Sequence, residues 1–442
     1  MSLFSRNTDG LPRMKGLSIR RSRVISVLDV GSDKIACIIG RLRPRLASEI
    51  LPGRTHTVEV LGVGHHRSRG IKSGVVVDLE AAERSIRSAV EAAERMAGLT
   101  VETLIVSVTA GRLRSTRGRG AVELNRQAVT DANVRFAQSL AARAPLEPSR
   151  IALHSIPNDL ALDGEGGLEN PRGMVGDVLT ADLHILSAEE TPLRNLEAAI
   201  NRAHLIVEGF VATPYASALA TLVEDEAAMG SACIDMGAGS TTIAIFQNGR
   251  FVYADQIAIG GSHITMDLAR GLSIGTEHAE RLKVMHGSTL AELLEDGESV
   301  SVAPLGEETS GGTVAVARSL VAKIIKPRVE ETFEVIRDRL AASGLGHVIG
   351  KRVVLTGGAS QLAGLPETAR AIMQRNVRLG RPLGVSGLKA SNKSPAFATA
   401  VGLLIYPQVA AEEYVAGGGA MSFAFDESTR AGRFGAWLKR SF

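Results

Sequence analysis

Aromatic residues make up only 4% of this 442-residue chain, and a single Trp is among them. Its core must therefore be assembled mostly from Ala, Val, Leu and Ile. Cysteine is almost absent. Cys37 and Cys233 sit in separate apolar runs, IACIIG and SACIDMG, which read as buried inert thiols rather than a redox pair, and neither has metal-ligand spacing. No apolar run approaches the roughly 20 residues a helix needs to cross a bilayer, and no signal-peptide core opens the chain, so synthesis in the cytosol is expected. A formal net charge of +3 is too small to argue for a nucleic-acid partner. Two nucleotide signatures are missing as well: G-x-x-x-x-G-K-[ST], and G-x-G-x-x-G after a strand.

What is present describes a folded chain rich in turns: 45% hydrophobic residues, 22% charged, and 47 glycines. Residues 1–22 carry five basic side chains against one acid and read as a flexible basic arm. VISVLDVGSDKIACIIGRL at 24–42 is two apolar runs joined by a tight turn, a hairpin. Leu79, Ala82, Ile86, Ala89, Val90, Ala93 and Ala97 form one stripe, predicting an amphipathic helix over 79–97 that Gly98 stops. From VETLIVSVTA onward a separate small α/β module is expected, with a basic turn RLRSTRGRG, a helix at 130–143 and a strand at 151–156. SACIDMGAGSTTIAIFQNGRFVY reads strand, Gly turn, strand, NGR turn, strand. Helices are expected at 262–271, 276–285 and about 315–342, then a strand, a Gly loop and a helix in KRVVLTGGASQLAGLPETARAI.

Two stretches repeat one design: VLDVGSDKIACIIG and CIDMGAGSTTIAIF. Each sets Asp at the end of an apolar strand, then a Gly turn with Ser or Thr, then a second strand. Gly lets the backbone turn sharply and approach an anion, so that consecutive N–H groups point at it. The Asp repels phosphate but can hold the Mg²⁺ that phosphates bring, usually through water. LTGGASQL at 355–362 adds a Gly loop between a strand and a helix, where N–H groups face an anion or a ribose. The order of Asp-Gly hairpin, long gap, second hairpin, helices and GGxS loop resembles the actin-type ATPase fold: α/β, two duplicated domains around a nucleotide cleft.

Within that superfamily the chain resembles the FtsA family of bacterial cell-division proteins over nearly its whole length. DVGSDKIACIIG and DMGAGSTTIAIF are similar to its two phosphate motifs, and RVVLTGGASQLAGL to its adenosine motif. RSRGIKSGVVVDLEAAERSI, IPNDLALDG…ENPRGM, GGSHITMDLARGL and EHAERLKVMHG also look like that family. The resemblance implies ATP and Mg²⁺ as ligands, at most slow hydrolysis, and an inserted subdomain 1C. It divides the chain into the arm 1–22, subdomain 1A at 23–100, 1C at 101–180, 1A again at 181–228, 2A at 229–262, 2B at 263–318, 2A at 319–384, 1A at 385–410, a linker at 411–431 and a helix at 432–442. Carried over by position, Asp29 and Asp235 face the metal. Gly31 and Ser32 from the first hairpin, and Gly237, Gly239, Ser240 and Thr241 from the second, face the phosphates. Gly357, Gly358 and Ser360 border the adenosine. Glu280 and Lys283 flank the nucleoside, although an ordinary solvated helix face has the same spacing.

The last eleven residues, GRFGAWLKRSF, hold the sole Trp. On a helix Phe434, Trp437, Leu438 and Phe442 form one apolar stripe, bordered by Arg433, Lys439 and Arg440. That is an interfacial membrane helix, too short to span, although a helix docked on the protein's own core or in a partner's groove has the same pattern. The FtsA resemblance implies a membrane-targeting tail, tethering of FtsZ filaments, self-assembly, other division partners, and a peripheral place on the cytoplasmic face of the inner membrane at the septum. The alternatives are a small-molecule kinase of the same superfamily, a chaperone-type ATPase, whose substrate domain has no room after residue 408, and a pilus-assembly relative, which lacks the terminal helix.

Overall fold

The computed structural model describes residues 5–6, 11–14, 17–18, 21–50, 53–291, 298–306 and 312–414. The linker expected at 411–431 lies almost wholly outside the described residues, and the tail helix at 432–442 entirely so.

Two mixed sheets share one topology. In the first, strands β1 (Arg23–Val30), β2 (Lys34–Pro44) and β3 (His56–Arg67) form an antiparallel meander. β4 (Thr103–Val108) joins the free side of β1 in parallel, and β8 (Ile206–Ala212) joins β4 in parallel. The second sheet repeats this plan. β9 (Ser231–Met236), β10 (Thr241–Gln247) and β11 (Arg250–Ile257) form the meander, with β12 (Arg352–Thr356) and β13 (Asn376–Leu379) added in parallel beside β9. The NGR turn between β10 and β11 holds Asn248 at φ 51° and Gly249 at φ 73°, the pair of positive angles that a two-residue hairpin turn requires.

Helix α1 spans Leu79–Ala97, as its periodicity predicts. The Asp78 carboxylate accepts from the Ala81 N–H, and Gly98, in the left-handed region, closes the other end. Its inner face buries Ala82, Ile86, Ala89, Val90 and Ala93, while Leu79 is exposed. Ile86 and Val90 alone contribute about 1.5–3 kcal/mol each. The helix lies so close to β3 that a Cβ on Gly62 would sit 2.3 Å from Ala93 O, and one on Gly64 2.1 Å from Ala89 O.

Between β4 and β8 the chain leaves the first sheet to build a module with its own core. β5 (Arg114–Ala128), β6 (Arg150–Leu162) and β7 (Val175–Glu189) pair in the order β6-β7-β5, all antiparallel, and α2 (Asp131–Ala141) covers them. Thr130 and Asn133 cap α2 reciprocally, and Val134, Ala137, Leu179, Leu183 and Ile185 fill the core. Two expectations need correcting here. Thr103–Val108 belongs to the first sheet, so the module begins after it rather than at 101; a strand's partners are not visible in its own residues. RLRSTRGRG is strand for most of its length, not a turn. Its Gly118 and Gly120 lie directly under α2, where added Cβ atoms would approach Ala141 O and Ala137 O to 2.1 and 2.2 Å.

The basic arm is also more than an arm. Leu11, Met14 and Leu17, three residues apart among the arginines, are buried in the first core, and Met14 lies over Gly209 of β8. α3 (Glu190–Arg202) and α4 (Thr213–Thr221) follow β7 and β8. α5 (Gly261–Leu272), α6 (Thr276–His286), α7 (Arg318–Ala342) and α8 (Leu365–Met373) belong to the second half. α9 (Ala398–Ile405) returns to pack on α4 and β1 of the first.

Candidate nucleotide cleft between the two halves

The two repeated turns close in the same way. The Gly31 N–H donates to Lys34 O at 3.0 Å, and the Gly237 N–H donates to Ser240 O at 3.0 Å. In both, Asp stands two residues before the Gly, on the penultimate position of its strand. The turns face each other across a cleft of about 310 Å³. They touch at its floor, where a Cβ on Gly239 would lie 2.7 Å from Ser32 Oγ and 3.0 Å from Ser73 Cα. Asp29, Gly31 and Ser32 line the cleft from one side, and Asp235, Gly237, Gly239 and Ser240 from the other.

Of the two carboxylates Asp235 is buried and Asp29 partly so. Burial pushes the Asp29 carboxyl up to about 6, against the pull of the Lys34 ammonium and a 2.8 Å hydrogen bond from the Ser107 hydroxyl. Asp235 is also raised by burial, although the hydroxyls of Ser217 and Thr399 both donate to its Oδ2, the latter at 3.0 Å. Lys34 answers both acids. Burial lowers it while Asp29, Asp33 and Asp235 pull it up. Its Nζ donates to Ala396 O at 2.7 Å and stands 3.5 Å from the centre of the Phe397 ring.

Gly357 and Gly358 form the third wall. Gly357 has φ 86°, and a Cβ there would fall 2.3 Å from Asp235 Oδ1, so only glycine fits. Gly358 is different: its Cβ would meet nothing nearer than Ala396 at 3.8 Å, on the open side of the cleft. Opposite, Lys283 Nζ donates to Glu280 Oε2 at 2.7 Å, Thr265 Oγ1 at 2.9 Å and Gly261 O at 3.1 Å, which fixes both charges on the wall formed by α5 and α6. Two expected residues do not line the cleft. The Thr241 hydroxyl is fully buried and donates to Ile259 O at 2.8 Å, and Ser360 turns inward to Gly357 O at 2.7 Å. Strand alternation explains the first: its neighbour Thr242 takes the cleft-facing position, with a buried Oγ1 that has no hydrogen-bond partner.

Comparison with known proteins bears on this arrangement. The family model described as cell division protein FtsA matches residues 232–402, and that of the SHS2 domain inserted in FtsA matches residues 110–187. The chain is 54% identical over 442 residues to the cell division protein FtsA of Rhizobium meliloti, with all of both chains covered. It is 32% identical over 389 residues to that of Pseudomonas aeruginosa, covering 88% of this chain and 90% of the relative. The chain belongs to the FtsA family. Among solved structures, the PilM-PilN type IV pilus biogenesis complex aligns with a TM-score of 0.58 over 87% of this chain and 98% of that one, at 14% identity, a likeness of fold. The fold is actin-like, two duplicated α/β halves around a cleft with the SHS2 module inserted in the first.

The cleft of this FtsA-family chain has the donors that a hydrated divalent cation uses. Among the described residues no cluster of three or more His, Cys, Asp or Glu could hold a metal alone. Two carboxylates answered by one ammonium do suit Mg²⁺, which binds one or two carboxylates and takes its other ligands from phosphate and water. The orphaned Thr242 hydroxyl is a further polar group awaiting a partner. Sequence reasoning missed Lys34, Thr242, Ser217 and Thr399. Lys34 had a signal, as the charge placed directly before the apolar run Ile35–Ile39. Ser217 and Thr399 had none, because they reach Asp235 from helices distant in the chain.

Proposed function

We propose that the cleft binds Mg-ATP and that the protein is a self-assembling adaptor. It would tether FtsZ filaments to the cytoplasmic face of the cell membrane at the division septum, among other division proteins. The observation that carries the nucleotide reading is the pair of matched Asp-Gly turns facing each other across one cleft. The N–H groups of Ser32 and of Ala238–Ser240, beyond the Gly31 and Gly237 donors that close the turns, would cradle the phosphates, with Lys34 as counter-charge. Asp29 and Asp235 would hold Mg²⁺ through water, and the ion would neutralise phosphate charge. Gly357 and Gly358 leave room for the adenosine, and Glu280 and Lys283 stand beside it. Adaptor work follows from family membership together with the sequence of the terminal segment, with Arg433, Phe434, Trp437, Leu438, Lys439, Arg440 and Phe442 as membrane contacts. One such segment would be a modest anchor; many on one polymer would bind far more tightly through effective concentration.

A thermal melt tests the nucleotide reading. A ligand that binds only the native state at 100 times its Kd adds about 2.7 kcal/mol, so saturating Mg-ATP is expected to raise Tm by several degrees. An unchanged Tm overturns the assignment, whereas slow hydrolysis does not. Gly358→Trp, which fills the open wall, is expected to abolish the shift.

A further inference from the structure

Three of the four tyrosines lie around one junction, where the first sheet, the inserted module and the end of the described chain meet. Tyr215 of α4 stacks on Phe251 of β11 at 4.6 Å and meets Tyr406 edge-on at 5.9 Å. Tyr414 packs beside the module core. At the centre is His154 of β6, wholly buried and edge-on to both Tyr215 and Tyr406. Its Nδ1 lies 2.9 and 3.1 Å from the two carboxylate oxygens of Glu413, and its Nε2 accepts from the Ala212 N–H at 3.0 Å. The second bond assigns the tautomer: Nε2 accepts, so Nδ1 carries the proton and donates to Glu413. One residue on, the Tyr414 N–H donates to Ser155 O at 2.8 Å, so residues 413–414 are fastened to β6 at two successive positions.

Ala212 is the residue from which α4 starts. Thr213, next in the chain, lines the cleft and shares a 2.7 Å hydrogen bond with Thr109, which lines it too. One turn later Ser217 donates to the Asp235 carboxylate. The route from Glu413 to Asp235 is therefore one side-chain bond, one backbone bond, a single helical turn and one more side-chain bond. At its midpoint Tyr215 and Tyr406 pack His154 on two sides.

We propose that Glu413 and His154 are positioning residues of the nucleotide cleft. Through them the anchorage of the segment Ala410–Tyr414 sets the start of α4 and with it Thr213 and Ser217. This rests on the reading of the cleft as a nucleotide site. Load on the chain beyond Tyr414 enters the molecule where Tyr414 and Glu413 meet β6, and the Glu413–His154 bond is the branch that leads to α4. The geometry thus makes the cleft responsive to whatever pulls on that segment.

The test uses the full chain and two readouts. Amide hydrogen exchange in the nucleotide-free protein follows the Ala212 and Ser217 region, and release of a fluorescent ATP analogue follows the cleft. Glu413→Ala is expected to speed exchange at the start of α4 while α1 and α7 stay unchanged. It should also speed nucleotide release by roughly 2- to 30-fold, the range seen for couplings carried through packed networks. Glu413→Gln, which keeps an acceptor for the Nδ1 proton, should restore most of both. Unchanged exchange and release in a folded Glu413→Ala protein overturn the positioning role. Rescue by Gln separates positioning from general destabilisation; if Gln and Ala behave alike and both lower Tm, the bond is structural only and the proposal falls. Failure of the wild type to bind the analogue counts against the nucleotide reading instead, and exchange still decides whether the bond sets α4.

Discussion

Asp29 and Asp235 stand at the same place in two copies of one turn, yet they are fastened differently. The hydroxyl that reaches Asp29 is Ser107 of β4, the neighbouring strand in the same sheet. Those that reach Asp235 are Ser217 of α4 and Thr399 of α9, both from elements of the other half. The first carboxylate is thus an internal feature of its half, while the second is a clasp between halves. A duplicated fold can repeat its backbone and still assign its two sites different work, because the duplication copies strands and turns rather than the side chains that arrive from outside.

The largest expected consequence belongs to the clasp. Asp235→Ala removes the carboxylate proposed to hold the metal and the acceptor that joins the two halves. Since loss even of outer partners of a metal ligand costs 10–100-fold, Mg-ATP affinity is expected to fall by about 100-fold or more. Titration calorimetry in Mg²⁺ reads it. If Asp235→Ala still binds within tenfold of wild type, the clasp plays no part in the site.

Asp29→Asn is expected to separate stability from binding. With its folded-state value at about 6 against an ordinary 3.8, Asp29 binds more protons in the folded than in the unfolded state between those values. Nucleotide-free stability therefore falls as pH rises from about 4 to about 6 through this group, and the cost persists above. About two units at 1.36 kcal/mol each bound that cost at about 3 kcal/mol. Asp29→Asn still accepts from Ser107, so at pH 7.5 the nucleotide-free variant is expected to gain about 1–3 kcal/mol in urea melts. The gain should vanish near pH 4, and stabilisation by Mg-ATP should be lost. A variant less stable than wild type at pH 7.5 contradicts this account.

A smaller effect sharpens the contrast directly. Ser217→Ala loosens a bond between halves, whereas Ser107→Ala loosens one within a half. Each removes a hydrogen bond to a charged group, worth about 1.5–3 kcal/mol. Ser217→Ala is expected to speed nucleotide release about tenfold, and Ser107→Ala to act mainly on the pH dependence of stability. Equal release rates in the two variants, measured by stopped flow, remove the distinction.

Much of this was legible in the sequence because it is local. Asp and Gly at fixed spacing between apolar runs reveal both turns, and the 3.6-residue stripe with Gly98 reveals α1. What stayed hidden arrives from a distance. Nothing near RLRSTRGRG announces that its glycines make room for α2, and the arginines of the first residues mask Leu11, Met14 and Leu17. A motif read as a string points to Thr241, because it ignores the strand alternation that puts Thr242 on the cleft. Ser217, Thr399, His154 and Glu413 matter only once the fold has brought their elements together.

The last expectation concerns a change that should leave both turns alone. Phe434 and Trp437 supply most of the large apolar area on the terminal stripe, each worth about 1.5–3 kcal/mol if fully buried and less at a wet interface. Changing both to Glu removes that area and adds charge that an anionic surface repels. The variant is expected to stay in the supernatant when sedimented with anionic vesicles, while its Tm and its response to Mg-ATP match wild type in their absence. Salt should weaken wild-type binding only in part, since it screens Arg433, Lys439 and Arg440 but not the apolar stripe. Trp437 is the sole Trp, so its emission should shift to the blue as vesicles are added and stay fixed when Mg-ATP alone is added. A double variant that pellets with vesicles as wild type does removes the tail as the anchor. One that loses its response to Mg-ATP in solution would mean that the stripe reaches the cleft, and the two turns could then no longer be compared apart from it.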